Sequence, residues 1–357
     1  MKITACLLTF ALTLAACGGG QPSAVESPAA EEGAAEEEAT AEDDATAAEE
    51  GAAAVEGSVR VALGDIESVE TLNLLIALER LRERGAEVEL TEFAEEDLAN
   101  QAVVGGQADI GVGAPYAVIQ EVDAPLRLFC QLQKLRFFAV VDKELYPDWQ
   151  SLDGEVFTVH SRASGTEGMA RLVEQVEGIE FSELSYVPGS EVRATALLQG
   201  NVQATLLDTP NRNFVMSEDP DRFHELPLPD TLATDEALFG NVEWLQGNEA
   251  VVQALLEEVL TTWRAIVDDP SFVAEERERL GLLADLPPEL EEQMLPYYEE
   301  AGAEGVFATD CGGAEAAEAD FEFNALAGVL EGDPEDLQVE DFWHLEPLEQ
   351  ALQTVES

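Results

Sequence analysis

Two stretches of this chain repeat one design. Residues 102–115 read Ala-Val-Val-Gly-Gly-Gln-Ala-Asp-Ile-Gly-Val-Gly-Ala-Pro, and residues 196–210 read Ala-Leu-Leu-Gln-Gly-Asn-Val-Gln-Ala-Thr-Leu-Leu-Asp-Thr-Pro. Each runs from the end of a helix through a glycine stop into a short apolar strand. A small or acidic turn follows, then a proline suited to the first turn of another helix. Around both stretches, period-2 and helical patterns alternate strictly. Strands are expected over 58–63, 88–91, 108–112, 155–159, 184–187 and 202–207. Helices are expected over 70–84, 95–104, 169–176 and 191–199, and again after Pro115 and Pro210. Such alternation predicts an α/β fold: parallel-rich sheets with helices on both faces. The repetition predicts two similar lobes. Helical spacing then dominates 248–267, 272–280, 288–298, 314–330 and 347–355, so a helical C-terminal tail is expected to pack on the first lobe. The boundaries that follow are 58–141 for the first part of lobe 1, 142–230 for lobe 2 and 231–357 for the rest of lobe 1.

The N-terminus assigns a compartment. Lys2 precedes an apolar run from Ile3 to Leu14, and Ala15-Ala16-Cys17 follows. The run is too short for a bilayer-crossing helix and has the build of a signal peptide. Residues 1–16 are read as the signal and Cys17 as the lipidated first residue of the mature chain. Residues 18–57 are almost all Gly, Ala, Glu, Asp, Ser, Thr and Pro, with almost no large apolar side chain. Such a segment cannot bury enough surface to offset its ordering entropy. With Cys17 it forms the stretch 17–57, read as a lipidated, disordered acidic tether. The protein is expected at the cell membrane, lipid-anchored and facing outside the cytoplasm.

Charge narrows the partners. The formal net charge is -58, and the lysines are Lys2, Lys134 and Lys143 alone. Nucleic acid is excluded, because a phosphate backbone needs a basic footprint. The acidity fits either adaptation to salt or a lineage rich in Ala, Glu and Arg. Cys6 leaves with the signal, which leaves Cys130 and Cys311 in an oxidising setting. They either form one disulfide or stand as two separate buried thiols. No cysteine or histidine spacing suits a metal, and His160 is read as structural.

In open parallel sheets, ligands bind outside the carboxyl ends of the strands. That rule selects 64–68, 113–116, 160–167 and 208–211. The richest segment runs His160-Ser161-Arg162-Ala163-Ser164-Gly165-Thr166-Glu167-Gly168. It combines hydroxyls, a guanidinium and glycine, and it opens a helix, whose N-terminus favours anions. The alternative is a plain helix cap by Ser164 or Thr166. Candidate ligand-binding residues are Asp65, Ala114, Tyr116, Arg136, Ser161, Arg162, Ser164, Gly165, Thr166 and Asp208. Asp208 is either a ligand contact or an N-cap. Tyr116 either stacks on a ligand or packs as core. No Gly-x-Ser-x-Gly, Walker loop or His-Glu-x-x-His occurs.

Four further pieces carry a resemblance: Val59-Arg60-Val61-Ala62-Leu63-Gly64, Gly106-Gln107-Ala108-Asp109-Ile110-Gly111-Val112, residues 151–159 (Ser-Leu-Asp-Gly-Glu-Val-Phe-Thr-Val) and Ser164-Gly165-Thr166. In this order, behind the signal, the chain resembles the substrate-binding lipoproteins of ABC importers. Its branch is that of the nitrate, taurine, aliphatic-sulfonate and thiamine-precursor binding proteins. The resemblance spans about 58–355 and implies a two-lobed, type II periplasmic-binding fold. It also implies a small anionic or zwitterionic ligand held between the lobes and delivered to a permease, by a monomer that needs no cofactor and is not an enzyme. One departure is Gly200-Asn201-Val202-Gln203-Ala204, where the family often has Gly-x-Val-Asp-Ala. Two alternatives come with the resemblance. One is a same-fold enzyme, similar to pyrimidine synthases or menaquinone-pathway lyases. The other is a ligand-sensing lipoprotein without transport.

Overall fold

The computed structural model describes residues 54–162, 164–229 and 231–356. The signal, Cys17 and nearly all of the tether lie outside the described residues. The chain begins with β1 (Ser58–Leu63), α1 (Leu72–Glu83), β2 (Glu87–Glu92), α2 (Glu96–Val104), β3 (Ile110–Gly113), α3 (Tyr116–Val122) and β4 (Leu126–Lys134). It continues through β5 (Phe138–Asp142), β6 (Val156–Val159), α4 (Gly165–Glu177), β7 (Glu183–Tyr186), α5 (Ser190–Leu198), β8 (Ala204–Leu207), α6 (Thr209–Glu218) and β9 (Phe223–Leu226). It closes with β10 (Thr234–Asn241), α7 (Val242–Gly247), α8 (Glu249–Asp268), α9 (Ser271–Leu280), α10 (Pro288–Ala303), α11 (Gly313–Leu326), α12 (Val339–Phe342) and α13 (Glu346–Val355).

Two five-stranded sheets result, ordered β2-β1-β3-β10-β4 and β7-β6-β8-β5-β9. Within each, the first three strands are parallel and the other two run in alternation. The sheets are related by more than strand order. In both, the strand beside the third parallel strand is the one that has just crossed from the other lobe. β5 enters the second sheet antiparallel to β8, and β10 returns to the first sheet antiparallel to β3. The crossings fall at 135–137 and 227–233. The first comes earlier than the expected boundary at 141, because residues 138–142 already pair with β8 and β9. At the other end, Val55 is docked ahead of the expected start at 58. Its N–H donates to the Arg84 carbonyl at 2.9 Å and its side chain is buried.

Period-2 alternation gives the first sheet two apolar faces. Val59, Val61 and Leu63 point to one side, where α1, α8, α9, α10 and α13 cover them. Ala62 points to the other, under α2, α3, α11 and α12. The C-terminal tail therefore covers both faces of the first lobe. Phe323 of α11 reaches further, into the core of the second lobe. Cys130 of β4 and Cys311 form a disulfide that ties the edge strand β4 to the approach of α11. No helix among the described residues is long and apolar enough to cross a membrane.

Candidate functional site

The carboxyl ends of the parallel strands of both sheets open onto one cleft. From the first lobe it receives Gly64 and Asp65 after β1, Glu70 ahead of α1, Glu96 in the first turn of α2, and Gly113 at the end of β3. The reversed direction of β10 adds two more groups. Ala237 pairs with Gly113, so Asp235 and Glu236 lie beyond the end of β3, in the cleft. The second lobe contributes His160 after β6, Ser164, Gly165 and Thr166 at the start of α4, Ser190 and Arg193 of α5, and Asp208 after β8. The enclosed space is small, about 40 Å³. A single water needs about 10–15 Å³, so the lobes are nearly shut.

Two glycines make room for one carboxylate. A Cβ at Gly64 would meet Glu96 Cγ at 2.9 Å, and one at Gly113 would meet Glu96 Oε2 at 3.5 Å. Gly165 does the same across the lobes: a Cβ there would lie 2.7 Å from Leu135 Cδ2 and 3.1 Å from Asp235 Oδ1. Asp235 thus presses on the N-terminus of α4, where the helix dipole is positive.

Burial raises the acid groups of this cleft, and their mutual repulsion adds to it. Glu70 and Glu96 are held well above the usual carboxylate range by desolvation, with Asp235 and Asp65 adding repulsion. Asp235 and Glu236 are raised for the same two reasons. Asp65 is raised by burial, against a hydrogen bond from the Ile66 N–H at 2.8 Å. Asp208 is raised less freely, because Asn211 donates to it from the backbone at 2.8 Å and from its side chain at 2.8 and 2.9 Å.

The facing wall is different. Arg193, 2 % exposed, donates through Nε to the Leu206 carbonyl at 3.0 Å and through Nη1 to the Val187 carbonyl at 2.9 Å. Burial lowers its pKa. His160 Nδ1 accepts from the Gly189 N–H at 3.3 Å, which leaves the ring proton on Nε2. Burial and the neighbouring Arg193 lower His160 to about 4, so the imidazole is neutral.

The candidate residues divide into three groups. Asp65, Ser164, Gly165, Thr166 and Asp208 line the cleft. Their side chains are less free than the hydroxyl-rich loop suggests. Thr166 Oγ1 accepts from the His160 N–H at 2.9 Å and lies 2.8 Å from Ser164 Oγ, which itself donates to the Ser161 carbonyl at 2.9 Å. Asp208 is the N-cap of α6 as well as part of the lining. A second group lies outside the lining: Ser161 is buried within its own turn, Arg162 stacks 4.9 Å over the Tyr186 ring, and Arg136 pairs with Glu300 and Glu304. The third group is core. Tyr116 is fully buried, donates to Asp320 and accepts from Trp343 Nε1 at 2.8 Å, so it stacks on no ligand in the cleft. Ala114 packs against the same cluster.

Sequence reasoning missed Glu70, Glu96, Ser190, Arg193, Asp235 and Glu236. The acidic first turn of α2 was a usable signal for Glu96. Nothing local marks Asp235 and Glu236, because their place depends on β10 returning from the other lobe. His160 belongs to the lining rather than to structure alone.

The architecture recurs in solved structures. A protein of Bordetella bronchiseptica RB50 is 20% identical over 84% of this chain and 98% of its own, with a TM-score of 0.68. The periplasmic nitrate-binding protein NrtA of Synechocystis PCC 6803 is 12% identical over 84% and 89%, with a TM-score of 0.66. A periplasmic sulfonate-binding protein SsuA of a putative sulfonate ABC transporter, from Methylobacillus flagellatus KT, is 16% identical over 84% and 94%, with a TM-score of 0.58. At these identities the likeness speaks for the fold, which is that of periplasmic binding proteins. No curated protein sequence matches the chain. The sequence model of the family described as NMT1/THI5 like matches residues 73–272, more than half of the chain, and the protein therefore belongs to the NMT1/THI5-like family.

Proposed function

We propose that this protein is a lipid-anchored, extracytoplasmic solute receptor. It takes a small molecule between its lobes and presents it to the permease of an ABC importer. The observation that carries the reading is the cleft itself. Both sheets turn their strand ends toward it, the N-termini of α2, α4, α5 and α6 border it, and the two crossings at 135–137 and 227–233 leave the lobes free to hinge about it. Of the solved structures with this fold, one is the periplasmic sulfonate-binding protein of a putative sulfonate ABC transporter and another a periplasmic nitrate-binding protein. Within the cleft, Asp65, Gly165 and Asp208, with the backbone N–H groups at the start of α4, are proposed as contacts. Cys17 is proposed as the anchor. The protein acts by binding and is not an enzyme. Among the described residues the wall has no lysine for a Schiff base; Lys134 borders only a narrow side cavity. Of the two ligand charges that the resemblance implies, a simple anion fits this wall poorly, whereas a zwitterion remains compatible with it.

A ligand that touches both lobes favours the closed state by its differential affinity. Adding one should therefore raise the melting temperature and hold the radius of gyration in small-angle scattering at its closed value. Cys17→Ala should release the protein from the membrane fraction without altering that response. A radius of gyration that stays above the closed value at saturating ligand would count against the hinge, and unchanged membrane partitioning of the variant would count against the anchor.

A further inference from the structure

We infer that the cleft is built for a compact solute with a hydrogen-bonding positive charge, an ammonium or amidinium group seated among Asp65, Glu70, Glu96, Asp235 and Glu236, with any acceptor end turned to His160 and Arg193. The inference rests on the solute-receptor reading and names its substrate class.

The distribution of charge is the first argument. All five carboxylates come from the first lobe and border one narrow space. Among the described residues, none of the five forms an ion pair, although arginines elsewhere are paired. Arg84 binds Glu257 and Glu258 at 3.0 and 3.2 Å, and Arg222 binds Asp142 at 2.9 Å. Lys134 borders Glu70 and Asp235 from a side cavity but makes no ion pair with either. Glu96 Oε2 is buried without any hydrogen-bond partner. The five residues are half-buried, and carboxylates crowded together away from bulk water ordinarily find a counter-charge; here the missing one has the position of a bound solute.

The second argument comes from the opposite wall and is independent of the acids. His160 is 7 % exposed; its buried Nε2 makes no hydrogen bond of normal geometry, and the Gly64 carbonyl of the first lobe is the backbone acceptor that faces the ring. Since Nδ1 is engaged within the second lobe, Nε2 lies on the other edge of the ring, toward the cleft, and carries the proton. An N–H donor beside a guanidinium has no use for a cation. It suits the acceptor end of a molecule whose positive end lies opposite.

Two further observations narrow the cation. Among the described residues, no group of three or more His, Cys, Asp or Glu side chains is placed to hold a metal ion. Among the described residues, Phe137 is the one Phe, Tyr or Trp side chain in the lining, which does not make an aromatic cage for a quaternary ammonium. Both features favour a cation that donates hydrogen bonds to separated carboxylates. Burial and mutual repulsion raise the pKa values of these carboxylates, Asp235 to about 8. Binding an amine should therefore release protons and tighten as pH rises. Asp208 and Glu191 add to this trend and Arg193 opposes it.

The test is calorimetric titration of the full mature protein with methylamine, ethylenediamine, guanidine and β-alanine. Tetramethylammonium, nitrate and methanesulfonate serve as the contrasting probes. The expected result is binding by at least one amine, guanidine or β-alanine, tighter at pH 8 than at pH 6. In Glu70→Gln plus Glu236→Gln that binding should weaken at least tenfold, and circular dichroism should show an unchanged fold. Binding of nitrate or methanesulfonate with silence from all four positively charged probes overturns the charge class while leaving the solute-receptor reading intact. Silence from every probe counts against both. Amine binding that the double variant leaves unchanged places the cation elsewhere and also overturns the inference.

Discussion

Asp235 and Glu236 show how much one residue's surroundings decide. The chain holds 75 acidic residues, and nothing in local sequence separates these two from the rest. In the fold they meet Asp65, Glu70 and Glu96 from their own lobe and Asp208 from the other, and among the described residues Arg193 is the one guanidinium in the lining. Their pKa values are raised by burial and repulsion. Their contribution to stability is therefore fully present below about pH 4, where unfolded carboxyls protonate, and is lost as pH rises through the folded values. Asp235→Asn plus Glu236→Gln should raise the melting temperature of the free protein at pH 8, by a gain on the order of 2 kcal/mol or a few degrees. The advantage should vanish near pH 4. Thermal unfolding of both proteins across this range checks it, and a variant less stable at pH 8 would sink the idea. His160 behaves in the opposite sense. Its pKa is lowered to about 4, so its contribution is present above about 6.5 and lost as pH falls toward 4. Being common to both proteins, it cancels in the comparison.

At the scale of elements, the strands and helices with strong local patterns were legible. Residues 58–63 alternate cleanly and form β1, and the long amphipathic stretch 248–267 forms α8. The strands that went unread are β4, β5, β9 and β10. β4 and β10 are central or covered on both faces, and segments such as Leu126–Lys134 show near-continuous burial rather than alternation. Such runs carry no period to read. The disulfide was legible only as one of two outcomes, because pairing Cys130 with Cys311 requires β4 and the approach to α11 to meet across a sequence separation of 181. A loop of that length gives about 5 kcal/mol of stabilisation in the chain-entropy limit, and measured effects run about 2–5 kcal/mol. Cys130→Ala plus Cys311→Ala should accordingly lower the denaturant midpoint without changing ligand affinity, since neither sulfur reaches the cleft. An unchanged midpoint would show that the paired strand and loop are held fully by packing.

Across the whole molecule, the two lobes are held near closure by contacts outside the cleft. Arg212 of α6, in the second lobe, pairs with Glu300 of α10, in the first, at 3.1 Å. Arg136, in the crossing, pairs with Glu300 and Glu304, and both guanidiniums stack on Phe138, at 5.2 Å for Arg136 and 3.9 Å for Arg212. Partly exposed pairs of this kind contribute at most about 1 kcal/mol each. Glu300→Gln should therefore shift the open population of the free protein by up to about fivefold. Small-angle scattering would show this as a larger radius of gyration, while saturating ligand should restore the closed value. No change in the free protein would mean that the cleft surfaces alone set the closure. The same scale separates what each level of description determines. The amino-acid sequence by itself determined the alternation of strand and helix, the doubled lobe, the helical tail and the loops at strand ends, because hydrophobic period, glycine stops and helix-opening prolines act over a few residues. It also determined that the chain carries few cations. Only the tertiary structure decided which acids share a cleft, that Tyr116 is core, that His160 lines the cleft and that two crossing strands run antiparallel. Those outcomes depend on contacts between residues far apart in the chain, such as Gly165 with Asp235, and no local pattern encodes a meeting of that kind.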